Sequence, residues 1–299
     1  MLAIVILSRG KCGLSKCITR YLVGMAAADF LVVISEPILY RIIQNYLPVS
    51  FFFITPVCSL IYCLVFTSTV ISVWLTVAFT FDRFIAICCE KVRTKYCTES
   101  VASLVIGMVC LLSCSVSIPW YFRHEPEYVI HNIPWYCITK PMFFSSNLWA
   151  VFVIFYVILT PCVPFFLIIF FNFLTVRQIV IASKVRHGLR SHNNGQHDRD
   201  LEMENRRKSI VLLFSISGSF VLLWVTQVVF YIYRRITQIY SYPVTEPLYI
   251  TDSTANMLQL LCSCTNTCIY TMTQSKFRQE VKNLGKYPFN LLLKLVKSQ

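Results

Sequence analysis

Charge is what this sequence has least of. Asp, Glu, Lys and Arg make up 14% of its 299 residues, against 56% hydrophobic, whereas a soluble domain carries about a quarter charged residues to cover its surface. The mean hydropathy of +0.62 points the same way, and a soluble globular fold is excluded. Acids are the scarcer sign: 14 Asp and Glu face 27 Lys and Arg, a formal net charge of +13. Such an excess fits nucleic acid only if the cations form one block, and here they are divided among alternate loops. No small-residue cleavage site follows the first apolar run, so no secretory signal peptide is visible. No internal repeat or inverted half-symmetry of the transporter kind is present either. Paired carboxylates, a His-rich metal set and a nucleophile–base pair are all missing from the apolar runs, which argues against an enzyme. His124, Glu125 and His131 match no compact zinc spacing.

What is present is long apolar sequence. Six stretches, at about 21–43, 57–81, 101–121, 148–174, 210–233 and 249–273, each reach the roughly 20 residues that a membrane helix needs. Helices are the structures that satisfy their own backbone in lipid without closing a barrel. The last stretch is rich in Thr, Ser, Asn and Cys, so it is expected to face other helices rather than lipid. Residues 1–7 are apolar but too short to span, and read as the remnant of a helix whose beginning is absent. With that remnant the count is seven, and the expected fold is an all-α seven-transmembrane bundle over 1–273.

Orientation follows from where Lys and Arg lie in the short loops. Arg9, Lys11, Lys16 and Arg20 follow the first stub with no acid among them, while the next connection has little beyond Arg41. Arg83, Lys91, Arg93 and Lys95 follow the third helix; the loop around His131 holds only Arg123 and Lys140. The next connection is again basic, and so is the tail. The basic set is expected to be cytoplasmic, with the amino terminus outside, the carboxyl terminus inside and the plasma membrane as the location. The polar stretch 184–208, which contains Asn-Asn-Gly, reads as a flexible cytoplasmic loop. Over 274–299, Phe277, Val281 and Leu284 recur at helical spacing between Lys276, Arg278 and Lys282, an amphipathic helix suited to an anionic leaflet and followed by a tail.

There are 14 cysteines, and most fall in spans or cytosolic loops, where thiols stay reduced. The orientation leaves Cys58 and Cys137 on the oxidising side, where a disulfide would tie the long outer loop to the third helix; the alternative is two unpaired thiols.

At the inner end of the third helix stands Asp82-Arg83-Phe84, with Cys58 25 positions before Arg83. The pair, the seven-helix count and the outside amino terminus together resemble the rhodopsin-like G-protein-coupled receptors, whose motif is Asp-Arg-Tyr. The resemblance implies that Arg83 holds an inactive state and then meets a heterotrimeric G protein. A permanent guanidinium at a membrane boundary needs a partner, and exchanging partners makes a two-state switch. The likeness extends along the chain. Met25 to Asp29 resembles the family's Leu-x-x-x-Asp, and an acid in mid-span is a functional hypothesis by default. Asp29, Ser72 and Asn266 are the implied ligands of an allosteric sodium ion, with a polar network lacking any ion as the alternative; Cys262 stands where a further oxygen is expected. Phe220 and Trp224, four apart and so on one face, resemble the aromatic pair that repacks on activation. Asn266-Thr267-Cys268-Ile269-Tyr270 resembles Asn-Pro-x-x-Tyr, which adds Asn266 and Tyr270 to the switch.

There are departures. Thr226 and Thr267 replace prolines of the family, Asn172 replaces a Tyr eight residues after Pro164, and Arg206 occupies the place where some relatives keep an acid to pair with Arg83. Val65 stands where amine receptors carry Asp, which disfavours a monoamine. Val65, Trp224 and Gln227 are the ligand-pocket candidates. The mouth, with Arg41, Arg123, His124, Glu125, Trp120 and Trp135, suits a peptide or an aromatic small molecule, and the local texture resembles an orphan subgroup near the peptide receptors. No cofactor is implied beyond the candidate sodium ion. The competing readings are a transporter, which demands paired broken helices and mid-depth charges, and a receptor remnant that no longer signals.

Overall fold

The chain is described here from a computed structural model, which places residues 1–10, 12–46, 50–189, 197–237 and 246–283. It is a helical bundle. A short α1, Leu2–Ser8, lies along α2, Lys16–Val33, which continues as a π-helical segment Ile34–Ile42. The long α3 is Thr55–Cys88, the short α4 Glu90–Tyr96, and α5 Glu99–Tyr121. Next, α6 comprises Asn147–Val157, a π-helical turn Ile158–Cys162 and Val163–Leu189. The helices α7, His197–Thr237, and α8, Pro247–Thr273, lie against one another. A final helix α9 covers 275–283.

Among the described residues, five helices are long and apolar enough to cross a membrane: Lys16–Ile42, Thr55–Cys88, Glu99–Tyr121, Asn147–Ala182 and Ser209–Arg234. Their outward faces carry Leu104, Leu111, Leu148, Phe166, Phe173 and Leu222, all more than half exposed. In water such a surface would aggregate; in a bilayer it is the solvated face. The more polar α8 turns its hydroxyls back on its own backbone. Thr251, Thr254, Thr271 and Thr273 each donate to the carbonyl four residues earlier, which satisfies the hydroxyl without a neighbour.

Helix irregularities fall where proline removes a backbone donor. The π segment of α2 contains Pro37, and that of α6 contains Pro161 and ends two residues before Pro164. Where threonine replaces the expected prolines, at Thr226 and Thr267, α7 and α8 continue as regular α-helix.

At the centre stands α3, against α2, α5, α6 and α7. One core cluster joins Ile6 and Leu7 of α1, Leu22 and Met25 of α2, Leu75 and Phe79 of α3, Leu212 and Ile216 of α7, and Tyr270 with Phe277. A hydrophobic drive between helices is weak in lipid, so this close packing and the polar contacts below hold the bundle.

At the other end of α3 from Arg83, a loop is folded into two small hairpins. Strand β1 (His124–Glu125) pairs with β4 (Ile138–Thr139), and β2 (Tyr128–Ile130) with β3 (Ile133–Trp135), antiparallel in both cases. His131 and Asn132, both at positive φ, form the two-residue turn that a tight hairpin requires. The loop is fixed to α3 by the expected disulfide, Cys58–Cys137. Beside it, the Tyr136 N–H donates to the Phe53 carbonyl at 2.7 Å and Thr55 Oγ1 donates to the Tyr136 carbonyl at 2.6 Å.

The stretch 184–208, expected as a loop, is helical at both ends: α6 runs to Leu189 and α7 starts at His197. Good helix formers (Glu202, Met203, Glu204, Arg206, Arg207, Lys208) continue the turn where lipid no longer demands it. Residues 190–196 lie outside the described part of the chain, as does Leu284 of the expected surface helix. Phe277 of that helix is fully buried and Val281 packs on the same core.

Candidate functional site

The polar centre of the bundle is Asp29, only 5% exposed. Its neighbours in α2 are Ala26, Ala27, Ala28 and Phe30, so its partners must come from other helices. Ser72 Oγ of α3 donates to Asp29 Oδ1 at 2.7 Å, and Asn266 Nδ2 of α8 donates to Oδ2 at 2.7 Å. Three helices are thus tied through one carboxylate. Burying an ionisable group is tolerable only with such partners. The three residues that the sequence singled out for a sodium ion are the three brought together.

Above this network lies a small cavity of about 10 Å³. Its polar wall is Thr69, Ser72, Thr76, Gln259, Ser263 and Asn266; its apolar wall includes Ile216, Phe220 and Trp224. Phe220 and Trp224 are buried and stacked, with ring centroids 5.3 Å apart and planes inclined by 22°. The helical spacing of four makes that stack. Carboxylate, hydroxyl and amide oxygens form a donor set suited to a hard cation, and Cys262 adds none.

At the other end of α3, Asp82 and Arg83 are both buried. The guanidinium donates to the neighbouring Asp82 Oδ2, from Nε at 3.0 Å and also from Nη2. Its face lies 5.9 Å from the Phe79 ring centroid. Asp82 Oδ1 accepts from the Cys17 thiol of α2 at 3.2 Å. Among the described residues, Asp82 is the acidic partner of Arg83; the side chain of Arg206 lies outside them. Phe84 faces Phe171 of α6 at 5.9 Å and shares with it an aromatic group that includes Phe81 and Tyr96.

The described helices thus hold a buried carboxylate, a cavity beside a stacked aromatic pair and a buried Asp-Arg pair at one helix end. The family described as 7 transmembrane receptor (rhodopsin family) matches residues 1–270. The chain belongs to that family. It is therefore a multi-pass plasma-membrane receptor of the signalling class, and not an enzyme or a transporter.

The remaining predicted residues of this receptor divide. Asn266, expected both in the sodium set and in the switch, is bound to Asp29. Tyr270, one turn on, is fully buried and meets Phe277 edge-on at 6.0 Å; its hydroxyl has no partner among the described residues. Of the three ligand candidates, Trp224 lines the cavity. Gln227 points elsewhere, its Nε2 donating to Asn256 Oδ1 at 3.4 Å. Val65 is half-buried, and its carbonyl accepts from Ser68 and Thr69.

Sequence reasoning missed three pairings. Arg41 donates from Nη2 to the buried Glu36 at 2.9 Å. That spacing of five faces away in an α-helix, but a π-helix closes its bonds at i to i+5 and brings the two together. Arg20 of α2 donates to Glu99 of α5 from Nε at 2.9 Å and from Nη2 at 2.5 Å, across the outside of the bundle. The third is the Cys17–Asp82 contact. At the mouth, His124 is buried against Tyr62, centroids 4.3 Å apart, and Tyr62 meets Tyr40 at 4.8 Å. The Arg123 guanidinium lies over Phe143 at 4.5 Å and Trp120 at 5.6 Å. Burial, then the Arg123 and Lys140 charges, push the His124 imidazole down to about 4.

Proposed function

We propose that this receptor senses an extracellular ligand and activates a heterotrimeric G protein through Asp82, Arg83 and Phe84, with its amino terminus outside and its carboxyl terminus cytoplasmic. The observation that carries this reading is the buried Asp82–Arg83 pair at the end of α3. A guanidinium sequestered on its neighbour is a stored partner, released when a better acceptor or a rearranged helix takes it. Phe220 and Trp224 sit on α7 between that end and the mouth, where repacking of the stack would shift the helix. Asn266 and Tyr270, four apart and so on one face of α8, are the other members of the switch. The basic loops on the Arg83 side support the orientation.

The ligand is a peptide or an aromatic small molecule. The partly exposed rings of Tyr40, Tyr62 and Phe143 offer aromatic surface, and the Glu36–Arg41 pair and Arg123 offer both charge signs. Val65 contributes no acid for an amine. Asp29, Ser72 and Asn266 would hold an allosteric sodium ion, which supplies positive charge to a carboxylate that otherwise relies on neutral donors.

Basal exchange of a non-hydrolysable GTP analogue, in membranes with purified G proteins, tests the coupling. Arg83→Ala should abolish exchange at unchanged surface expression. Wild-type exchange persisting in that variant removes Arg83 from the mechanism.

A further inference from the structure

Arg83 and its neighbour are held from α2 and from the connection between α4 and α5, with sulfur as the donor on both sides. Asp82 is fully buried and uses its two carboxylate oxygens on different partners: Oδ2 on Arg83, Oδ1 on the Cys17 thiol at 3.2 Å. The Cys97 thiol, from the other side, donates to the Asp82 carbonyl at 3.8 Å. Cys17 is 3% exposed, in the first turn of α2 behind the Ser15 cap.

We propose that Cys17, assisted by Cys97, is the positioning residue that keeps Asp82 on Arg83 and so sets how often the receptor is active without ligand. The argument is geometric. A carboxylate bound only to the adjacent arginine can rotate about its own side chain and carry the guanidinium with it. A second donor on the opposite oxygen fixes that rotation, and it comes from α2, so the clamp breaks when α3 moves relative to α2. At the α7 position where some receptors place an acid the sequence has Arg206, a cation and so no partner for a guanidinium. Among the described residues the acid that holds Arg83 is Asp82, and the restraint on Asp82 comes from thiols. Neither sulfur is a nucleophile in this setting. Burial and the Asp82 carboxylate push the Cys97 thiol up to about 11, so it stays protonated and able to donate.

The inference rests on the coupling proposed for Arg83, and its test separates the two. Basal exchange of the GTP analogue is compared for the full receptor, Cys17→Ala, Cys17→Ser and Asp82→Asn at matched surface expression. Removing the donor should raise exchange about threefold or more, the population shift that follows loss of one hydrogen bond to a charged group. Cys17→Ser keeps a donor and should return exchange to near the wild-type level, which a packing defect would not do. If Asp82→Asn raises exchange while Cys17→Ala matches the wild type, the thiol clamp is overturned and the coupling reading stands.

Infrared spectra of the purified receptor read the contact without any G protein. A thiol donating to a carboxylate has an S–H stretch at lower frequency than a free one. That band should be lost in Cys17→Ser and moved in Asp82→Asn. A spectrum without such a band overturns the proposal, whether or not Cys17→Ala reaches the surface. Loss of the band together with unchanged exchange in both Asp82→Asn and Arg83→Ala keeps the contact but removes its role, and the coupling reading fails with it.

Discussion

Single residues in this receptor owe their roles to the partner that reaches them from another helix. Asp29 was legible in the sequence because an acid within an apolar run needs partners, and the family resemblance supplied Ser72 and Asn266 as candidates. Cys17 was not legible: in a span, cysteine reads as a small apolar residue, and nothing in one dimension reveals a carboxylate 65 positions away. His124 is a similar case, since a loop histidine usually lies in water. Here it is buried on Tyr62 with its Nδ1 unpartnered among the described residues, and its pKa falls to about 4 because burial and then the charges of Arg123 and Lys140 oppose protonation. The sign is fixed by linkage. The unfolded chain takes up a proton near pH 6.5, the folded loop only near 4, so stability is full above pH 6.5 and is lost as pH falls between the two. Melting of the detergent-solubilised receptor should fall from pH 7 to pH 5, and fall less in His124→Phe, which keeps the ring on Tyr62. Parallel curves for the two proteins would show that the imidazole is not held neutral.

Elements were read well where lipid imposes length and less well where water begins. Apolar stretches marked the start of each of the five long spans to within about five residues, because each must cross about 30 Å of hydrocarbon. The helices Thr55–Cys88 and Asn147–Ala182 run well past the ends expected at 81 and 174. Beyond the membrane that rule lapses, and α6 and α7 run on into the expected loop on helix propensity alone. The π segments at Pro37 and Pro161 follow from missing backbone donors, but their extent, and hence the Glu36–Arg41 pairing, is set by tertiary packing. The helix after α8, expected from sequence as an amphipathic surface helix, has its Phe277 fully buried against Tyr270. This helix is docked. Truncating a fully buried phenylalanine costs about 3–5 kcal/mol in a close-packed core, so Phe277→Ala should lower the melting temperature by several degrees. The exposed Arg278 of the same helix should tolerate alanine. Equal melting of Phe277→Ala and wild type would show that the Phe277 contact does not hold this helix to the bundle.

For the whole molecule, the Asp29 network and the cavity make one connected centre joining α2, α3, α7 and α8. Ser72 and Asn266 bind the carboxylate and also line the space beneath Phe220 and Trp224. A cation entering there would attract Asp29, take oxygens that now bond within the protein, and occupy the room into which the aromatic pair would repack. It would favour the state in which the cavity is open, by its differential affinity for that state and no more. Sodium chloride should then stabilise the receptor relative to choline chloride at equal ionic strength, which holds screening constant. At about ten times the dissociation constant the gain is roughly 1.4 kcal/mol. The same salt should lower basal nucleotide exchange. Asp29→Asn keeps the shape of the side chain and removes its charge, so both sodium effects should vanish in that variant. A sodium response that survives Asp29→Asn would mean that the ion acts elsewhere. A wild type indifferent to the exchange of sodium for choline would leave Asp29, Ser72 and Asn266 as a brace between three helices, complete without an ion.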